Sequence, residues 1–166
     1  MEVKIKLAKG AVLPKYAKQG DAGMDLTAIS RTCDIDGNMV HGTGVYLEIP
    51  MGFVGLLFPR SSICKQDLTL SNAVGVLDSG YRGEVMFKFK PTLSIYSKTT
   101  ESYNADFDSN TMELGFPESE FFECYKIGDR IGQLIILPYP KIEFKVVDEL
   151  STSERGEGGY GSTNNN

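Results

Sequence analysis

The sequence predicts an all-β domain built as a sandwich, jelly roll or barrel. Short apolar runs recur along the chain, and Gly, Pro, Asn and Asp separate them. No window keeps the 3.6-residue period of an amphipathic helix. The chain has 166 residues, of which 41% are hydrophobic and 23% charged, as in one globular domain with its own core. Many short strands with glycine and proline between them are typical of these architectures.

Short apolar runs predict the strands in the first part of the chain. The alternating runs indicate strands with one buried face, and the first lacks the apolar core of a signal peptide. The continuous run at 53–58 indicates a strand buried on both faces, followed by one helical turn. The Gly- and Asp-rich segment 31–44 is predicted to be a loop. The predicted strands cover residues 3–7, 24–29, 45–49 and 53–58.

Further strands alternate with two polar segments in the rest of the chain. Residues 91–119 are rich in Ser, Thr, Asn, Asp and Glu, which predicts an irregular excursion. Residues 151–166 are polar and glycine-rich, which predicts a flexible arm. We therefore predict one domain over 1–150, including the excursion, and a C-terminal arm over 151–166. The predicted strands here cover residues 68–70, 73–77, 85–89, 121–125, 133–137 and 142–147.

Charge and hydropathy narrow the classes of function. A formal net charge of −5 argues against broad binding to nucleic acid. It leaves room for a small polyanionic substrate, because a metal ion and a few local cations can neutralise one. No apolar run approaches the roughly 20 residues that span a bilayer. We expect a cytoplasmic protein without a membrane or nucleic-acid partner.

The cysteines indicate neither a disulfide framework nor a zinc site. Cys33, Cys64 and Cys124 are odd in number and widely spaced, so free thiols are expected. The only histidine, His41, falls in the predicted loop. No neighbouring residue supports a Cys–His nucleophilic pair.

Residues 75–83 (GVLDSGYRG) form the most informative stretch. They lie between apolar runs at 72–77 and 84–89, which predicts a β-hairpin with a glycine-rich turn. Asp78 closes the first run, so its carboxylate is expected at the mouth of an apolar sheet. Tyr81 is flanked by glycines that let backbone approach a flat ligand. Without other signals, the same stretch is an ordinary hairpin with an Asx-turn.

Other short motifs carry polar groups at turns. Residues 59–62 (PRSS) follow an apolar run and could grip phosphate or cap a turn. Residues 128–133 (GDRIGQ) and 22–26 (AGMDL) combine a turn with a charged group. Residues 155–163 (RGEGGYGST) have the composition of a phosphate cradle, but the lysine of a Walker loop is absent and no helix follows. Considered without the other motifs, residues 155–163 fit a disordered linker as well as they fit a phosphate-binding segment.

Together and in this order, the motifs at 22–26, 59–62, 75–83, 128–133 and 155–163 resemble those of the trimeric dUTPase family. The resemblance covers nearly the whole chain. It implies a jelly-roll or β-clip homotrimer with a swapped C-terminal arm, in which each active site is built from all three subunits. It also implies Mg²⁺-dependent hydrolysis of dUTP to dUMP and pyrophosphate, which keeps uracil out of DNA and supplies dUMP for thymidylate synthesis.

The resemblance assigns roles by motif. Asp78 would be the general base for the water that attacks the α-phosphorus. Tyr81 would lie against the deoxyribose and exclude a 2′-hydroxyl. Backbone near Asn72, Gly75 and Met86 would read the uracil edge. The residues that would contact phosphate, stack on the base or close the site are Arg60, Ser61, Ser62, Gln133, Arg155, Tyr160, Gly161, Ser162 and Thr163.

We also expect a magnesium cofactor and a protein partner. The resemblance implies that Asp25 organises Mg²⁺ through water, with no direct protein ligand. Magnesium commonly keeps several waters and takes phosphate oxygens, which suits a site with few carboxylates. The excursion at 91–119 is longer than is usual in the family. We therefore hypothesise that it binds a protein partner.

Two alternatives remain open at this level. dCTP deaminase shares the fold, but it would need a glutamate acid/base in the pocket, and the motifs around Asp78 and in the tail favour the pyrophosphatase. The second alternative is not an enzyme but a non-catalytic, regulatory trimer of the same fold. The presence of Asp78, Gln133 and Arg155 argues against it.

Overall fold

Two antiparallel sheets form the protein in a computed structural model that describes residues 1–92 and 124–158. The prediction of an all-β fold is confirmed. One sheet has the order β1-β4-β8-β6, with β3 also paired to β4, and the other has the order β2-β9-β5-β7. The strands are β1 Lys4–Leu7, β2 Met24–Thr27, β3 Ser30–Cys33, β4 Met39–Glu48, β5 Phe53–Pro59, β6 Leu68–Leu70, β7 Gly75–Leu77, β8 Glu84–Pro91 and β9 Arg130–Pro138.

The core is made of apolar side chains from both sheets. Along β8, Val85, Phe87 and Phe89 are buried while the intervening residues are exposed, the alternation of a strand with one solvated face. The rings of Phe87 and Phe89 stack with centroids 6.0 Å apart. Gly132 on β9 makes this packing possible, because a Cβ there would collide with the Phe87 ring. Because glycine has no side chain, β9 of one sheet leaves space for the Phe87 ring from β8 of the other sheet.

The predicted helical turn is present, but the predicted burial of the strand before it needs correction. A short 3₁₀ turn, Ser61–Lys65, follows β5. Along β5 itself, burial alternates between half-buried and buried positions, so a strand buried on both faces is wrong for this chain. No helix in the described part of the chain is long and apolar enough to cross a membrane.

The predicted loop at 31–44 is wrong, because β3 and β4 occupy most of it and pair with each other. Only the turn between them is irregular. There the Asp34 carboxylate accepts hydrogen bonds from the backbone N–H of Asp36 at 3.0 Å and of Asn38 at 2.9 Å. Lys88 lies 2.7 Å from the same carboxylate and, with the Asn38 N–H, lowers the pKa of Asp34 to about 2. The Gly and Asp residues that suggested a long loop lie in this turn and in a bulge of β4.

The hairpin predicted around residues 75–83 is also wrong. β7 pairs with β5, whereas β8 pairs with β4 and β6, so the two strands belong to different sheets. The glycine-rich stretch is a crossing between sheets. Two apolar runs close in sequence indicate two strands, but alternation within each run does not reveal its partner.

The strand predicted at 142–147 is wrong in this chain. The segment has no regular secondary structure, and the side chains of Phe144 and Val146 are 94% and 95% exposed. Of the strand predicted at 121–125, only Cys124 and Tyr125 are described, and neither is in a strand. The remainder of that prediction and most of the 91–119 excursion lie outside the described residues.

Candidate active site

A pocket of about 220 Å³ opens where β7 and β8 diverge into their two sheets. Its wall combines apolar side chains with a few polar groups, as in small-molecule sites. The predicted nucleoside-binding residues Asn72, Gly75, Tyr81 and Met86 all line it. The full lining is Leu57, Asn72, Gly75, Val76, Leu77, Tyr81, Glu84 and Met86.

Tyr81 is held by the turn that carries it. Its backbone N–H donates to the Asp78 carbonyl at 3.0 Å, and its hydroxyl donates to the Glu84 carbonyl at 3.0 Å. The ring lies so close to Gly83 that a Cβ on that glycine would collide with it. Gly83 therefore lets the tyrosine ring fold against the backbone at the pocket wall. The Arg82 guanidinium closes the turn by donating to the Ser79 and Tyr81 carbonyls.

The opposite side of the pocket contains a strained residue. Ala73, between Asn72 and the start of β7, has φ of 58°, a left-handed conformation that costs a non-glycine residue about 1 kcal/mol or more. A tight turn accompanies it, in which the Val74 N–H donates to the Asn72 carbonyl at 2.5 Å. This geometry sets the direction of the Asn72 and Gly75 backbone at the pocket.

Asp78 directly follows β7 and is exposed. The last residue of that strand, Leu77, lines the pocket and is paired with Gly55 of β5. A strand that is fixed in its sheet therefore holds the Asp78 backbone next to a residue of the pocket wall, although Asp78 itself is not one of the lining residues. An exposed carboxylate in this place is open to a water molecule and to a bound ligand.

A second polar site centres on the Asp25 carboxylate, which is only 11% exposed. The Arg60 guanidinium donates to one oxygen at 2.9 Å, and Arg130 donates to the other at 3.0 Å. The Gln133 amide is 3.4 Å from the first oxygen. Two guanidinium groups against one carboxylate give this cluster a net positive charge of one. We refer to Asp25, Arg60, Arg130 and Gln133 as the Asp25 cluster.

Three neighbouring strands assemble the Asp25 cluster. Asp25 on β2 pairs with Gln133 on β9, and Gln133 in turn pairs with Phe58 on β5. Arg60 leaves the end of β5 two residues later. Gly23 is needed beside them, because a Cβ there would lie 3.2 Å from the Gln133 side chain. The motif residues are thus brought together by sheet register although they are distant in sequence.

The two serines after Arg60 differ in environment. Ser61 is exposed at the start of the 3₁₀ turn. The Ser62 hydroxyl is buried and has no hydrogen-bond partner among the described residues. A buried hydroxyl without a partner is costly, so it is a candidate donor to a ligand that approaches the Asp25 cluster.

The structure does not bring every predicted site residue together. Among residues 1–92 and 124–158, no hydrogen bond or ion pair joins the Asp25 cluster to the residues that line the pocket. Arg155 bonds within its own turn, donating to the Gly158 carbonyl at 2.9 Å. The remaining predicted contacts of the arm, Tyr160, Gly161, Ser162 and Thr163, lie outside the described residues.

Two residues of the site were missed by the sequence reasoning. Arg130 lies within the 128–133 motif, three residues before Gln133, and its positive charge next to a glycine turn was the available signal. Glu84 follows Gly83 directly and lines the pocket. No local pattern distinguishes Glu84 from an ordinary exposed glutamate on a strand.

The described residues offer little direct ligation for a metal ion. No group of three or more His, Cys, Asp or Glu side chains within 1–92 and 124–158 could hold one. The Asp25 carboxylate has about four acceptor positions and already takes three donors, which leaves room for one water-mediated contact. The chemistry of this set fits a metal that is held mainly by phosphate and water.

Fold and site together define an all-β protein with a small pocket of mixed polar and apolar lining and a separate cationic cluster. The family model described as dUTPase matches residues 9–94. The deoxyuridine 5′-triphosphate nucleotidohydrolase of Escherichia phage T5 is 36% identical, with 97% of each chain covered. The enzyme of the same name from Corynebacterium glutamicum is 36% identical, with 96% of this chain and 91% of that protein covered. The chain belongs to the dUTPase family.

Solved structures agree with this assignment. A mutant of the Staphylococcus bacteriophage 80alpha dUTPase with dUpNHpp superposes with a TM-score of 0.71 at 27% identity, covering 98% of each chain. Another structure of the 80alpha dUTPase with the same compound has a TM-score of 0.70 at 28% identity, with 97% of each chain covered. The predicted resemblance to the family is therefore confirmed.

Proposed function

We propose that the protein hydrolyses dUTP to dUMP and pyrophosphate. The observation that carries the proposal is the pocket, since Asn72, Gly75, Tyr81 and Met86, predicted from motifs to hold the nucleoside, line one cavity. Its volume of about 220 Å³ is suited to a flat ring with part of a sugar, not to a whole nucleotide. The triphosphate must then extend beyond it. This activity would keep uracil out of DNA and supply dUMP for thymidylate synthesis.

Asp78 is the proposed general base. Its carboxylate takes a proton from a water molecule, whose oxygen attacks the α-phosphorus. The bond from the α-phosphorus to the bridging oxygen breaks, and pyrophosphate leaves with the electron pair. The support is that Asp78 is exposed and directly follows Leu77 of the pocket wall, and hydrogen-bond reach comes before pKa in choosing a base.

Phosphate recognition is proposed for the Asp25 cluster and the serines beside it. The cluster has a net positive charge, and guanidinium groups bind phosphate through paired N–H donors. Asp25 orients both guanidinium groups, and Arg130 keeps about half of its side chain exposed to a ligand. The buried Ser62 hydroxyl gains a partner when phosphate binds. Arg155, Gly161, Ser162 and Thr163 of the arm would add donors, and Tyr160 would stack on the base.

We propose Mg²⁺ as the cofactor, held by phosphate oxygens and water with Asp25 as an outer contact. When bound, it would neutralise part of the triphosphate charge. The support is the donor set, in which Asp25 has room for one water-mediated contact and no described acidic cluster competes for the ion.

A homotrimer with a swapped C-terminal arm is proposed as the active assembly. Within residues 1–92 and 124–158 no side-chain hydrogen bond or ion pair links the pocket to the Asp25 cluster, and a nucleotide bound between two copies would engage one site of each. The segment after β9 carries apolar side chains that this chain leaves uncovered. Burial on a neighbouring copy would account for them. They are Ile142, Phe144, Val146 and Leu150, exposed by 62%, 94%, 95% and 88%.

The test is pyrophosphate release from dUTP with Mg²⁺, measured for the parent chain and for Asp78→Asn. Loss of a general base lowers turnover by about 10²–10⁴-fold. Asp36→Asn is a matched control, because this exposed aspartate lies in the turn between β3 and β4, outside the site and outside the segment after β9. Equal turnover by Asp78→Asn and the parent would remove Asp78 from its role, and no release by the parent would refute the proposed activity.

A further inference from the structure

A bulge in β4 lies behind the pocket wall. Gly42 pairs with Met86 and Tyr46 pairs with Glu84, so three residues of β4 face only Val85 on β8. Bulges re-aim side chains on the strand they face and are frequent beside functional sites. Here the strand that the bulge faces carries the pocket residues Glu84 and Met86.

The bulge is closed by two polar side chains. The Glu84 carboxylate accepts a hydrogen bond from the Gly44 N–H at 2.7 Å. The Thr43 hydroxyl donates to the Val85 carbonyl at 2.6 Å and accepts from the Val45 N–H at 3.2 Å. Backbone groups that the bulge removes from the ladder are thereby satisfied.

Glycines make the room for the glutamate. Gly44 has φ of +66°, which favours glycine. A Cβ on Gly42 would lie 2.6 Å from the Glu84 carboxylate oxygen, so an alanine there would displace the carboxylate. The Glu84 carboxylate is therefore held by the backbone of β4 in space that Gly42 leaves open.

Glu84 also fixes Tyr81. Its carbonyl accepts the Tyr81 hydroxyl at 3.0 Å, while its carboxylate is anchored to β4. One residue thus connects the bulge in the sheet to the aromatic ring at the pocket wall. A hydrogen bond to a carboxylate is stronger than one between neutral groups, which makes this an effective anchor.

We propose that Glu84 is a positioning residue that sets nucleotide discrimination by holding Tyr81 in place. This role rests on the proposed function, in which Tyr81 excludes a 2′-hydroxyl. When the carboxylate anchor is lost, the main chain at Glu84 and the Tyr81 ring that bonds to its carbonyl become free to shift, and the pocket accepts a ribose more readily. The hydrogen bonds of Glu84 in the described part of the chain go to Gly44 and Tyr81 and not to Asp78, so KM for dUTP should change more than kcat.

The test compares Glu84→Ala and Glu84→Gln with Glu48→Ala, a control on β4 whose exposed carboxylate pairs with Lys4 outside the pocket. Glu84→Ala is expected to lower the ratio of kcat/KM for dUTP over UTP about tenfold, the equivalent of ~1.4 kcal/mol. Glu84→Gln keeps an acceptor for Gly44 and should stay within about threefold. An unchanged ratio in Glu84→Ala would overturn the role, as would an equal loss in Glu48→Ala.

A double-mutant cycle separates positioning from general loosening. Tyr81→Phe removes the hydroxyl that Glu84 accepts, so its effect on the ratio should be non-additive with that of Glu84→Ala. Fully additive effects would contradict the proposal.

Amide exchange at Gly44 supplies a readout without nucleotide. In folded protein it should be faster in Glu84→Ala than in the parent and unchanged in Glu48→Ala. Equal exchange rates in all three would overturn the anchor even if dUTP were not the substrate. Absence of dUTP hydrolysis by the parent, with faster Gly44 exchange in Glu84→Ala, would refute the proposed function alone.

Discussion

At the scale of single residues, the buried histidine His41 shows how the core determines the protonation of a polar side chain. His41 is fully buried against Phe89 and Tyr125, and its Nε2 is 3.2 Å from the Tyr125 carbonyl. Because a carbonyl only accepts, Nε2 carries the proton, and Nδ1 of the neutral ring has no hydrogen-bond partner in the described part of the chain. The imidazole is thus held neutral in the core, not placed for catalysis.

Stability should fall in mild acid because of His41. Burial lowers the pKa of His41 below its usual 6.5, opposed by the hydrogen bond from the ring to the Tyr125 carbonyl. Below pH 6.5 the unfolded chain binds the proton first, so the free energy of unfolding decreases with falling pH until the folded pKa is reached. The slope contributed by one site is at most about 1.4 kcal/mol per pH unit.

Urea unfolding between pH 8 and 5 measures this effect. His41→Gln keeps a donor for the Tyr125 carbonyl and removes the titration, so its stability should depend less on pH than that of the parent. Identical pH dependence in the two proteins would show that His41 does not titrate on unfolding.

At the scale of elements, the sequence predicts strands better than it predicts their partners. Alternation located β1 and β2, because the side-chain period of two is local. The pairing of β7 with β5 depends on sheet register, which no local pattern contains. The strand predicted at 45–49 covers only the second half of β4, because the first half contains His41, Gly42, Thr43 and Gly44, residue types that are typical of a loop. In the structure His41 is a buried ring and the residues after it form a bulge, and both features depend on tertiary contacts.

The contact between Gly132 and Phe87 is predicted to be important for stability. Gly132→Ala places a methyl group against the Phe87 ring across the core and should cost about 1–3 kcal/mol, as overpacked cores do. Gly80→Ala is the control, because nothing lies within 4 Å of a Cβ at that position. It should change stability by no more than about 0.5 kcal/mol.

Thermal or denaturant unfolding of both variants measures these changes in the free energy of unfolding. Equal stabilities of Gly132→Ala and Gly80→Ala would mean that the two sheets adjust freely, contrary to a close-packed core.

At the scale of the whole molecule, the motifs indicated which residues belong to the site but not which of them one chain brings together. The pocket and the Asp25 cluster each formed from predicted residues. Glu84 was beyond prediction, because its role depends on a bulge in another strand. The division into residues 1–150 and an arm over 151–166 stays a prediction. The apolar segment after β9 suggests that the part which acts with a neighbour begins earlier.

Assembly should depend on that exposed segment. Phe144→Ser removes the aromatic side chain proposed to be buried on a neighbouring copy and should shift the protein toward smaller species as concentration falls. Lys145→Ser, one residue away, is the matched control. Sedimentation at several concentrations measures the distribution. If both variants and the parent share one distribution, residue 144 is not at a subunit interface.

Pyrophosphate release by the parent chain with Mg²⁺, measured side by side for dUTP, UTP, dTTP and dCTP, tests the central claim most directly. A pocket bounded by Tyr81, Met86 and the β7 backbone should give turnover with dUTP at a kcat/KM far above that for the other three. Comparable turnover of UTP or dTTP would contradict the assigned pocket. No release from dUTP, or release of ammonia from dCTP, would contradict the proposed activity itself.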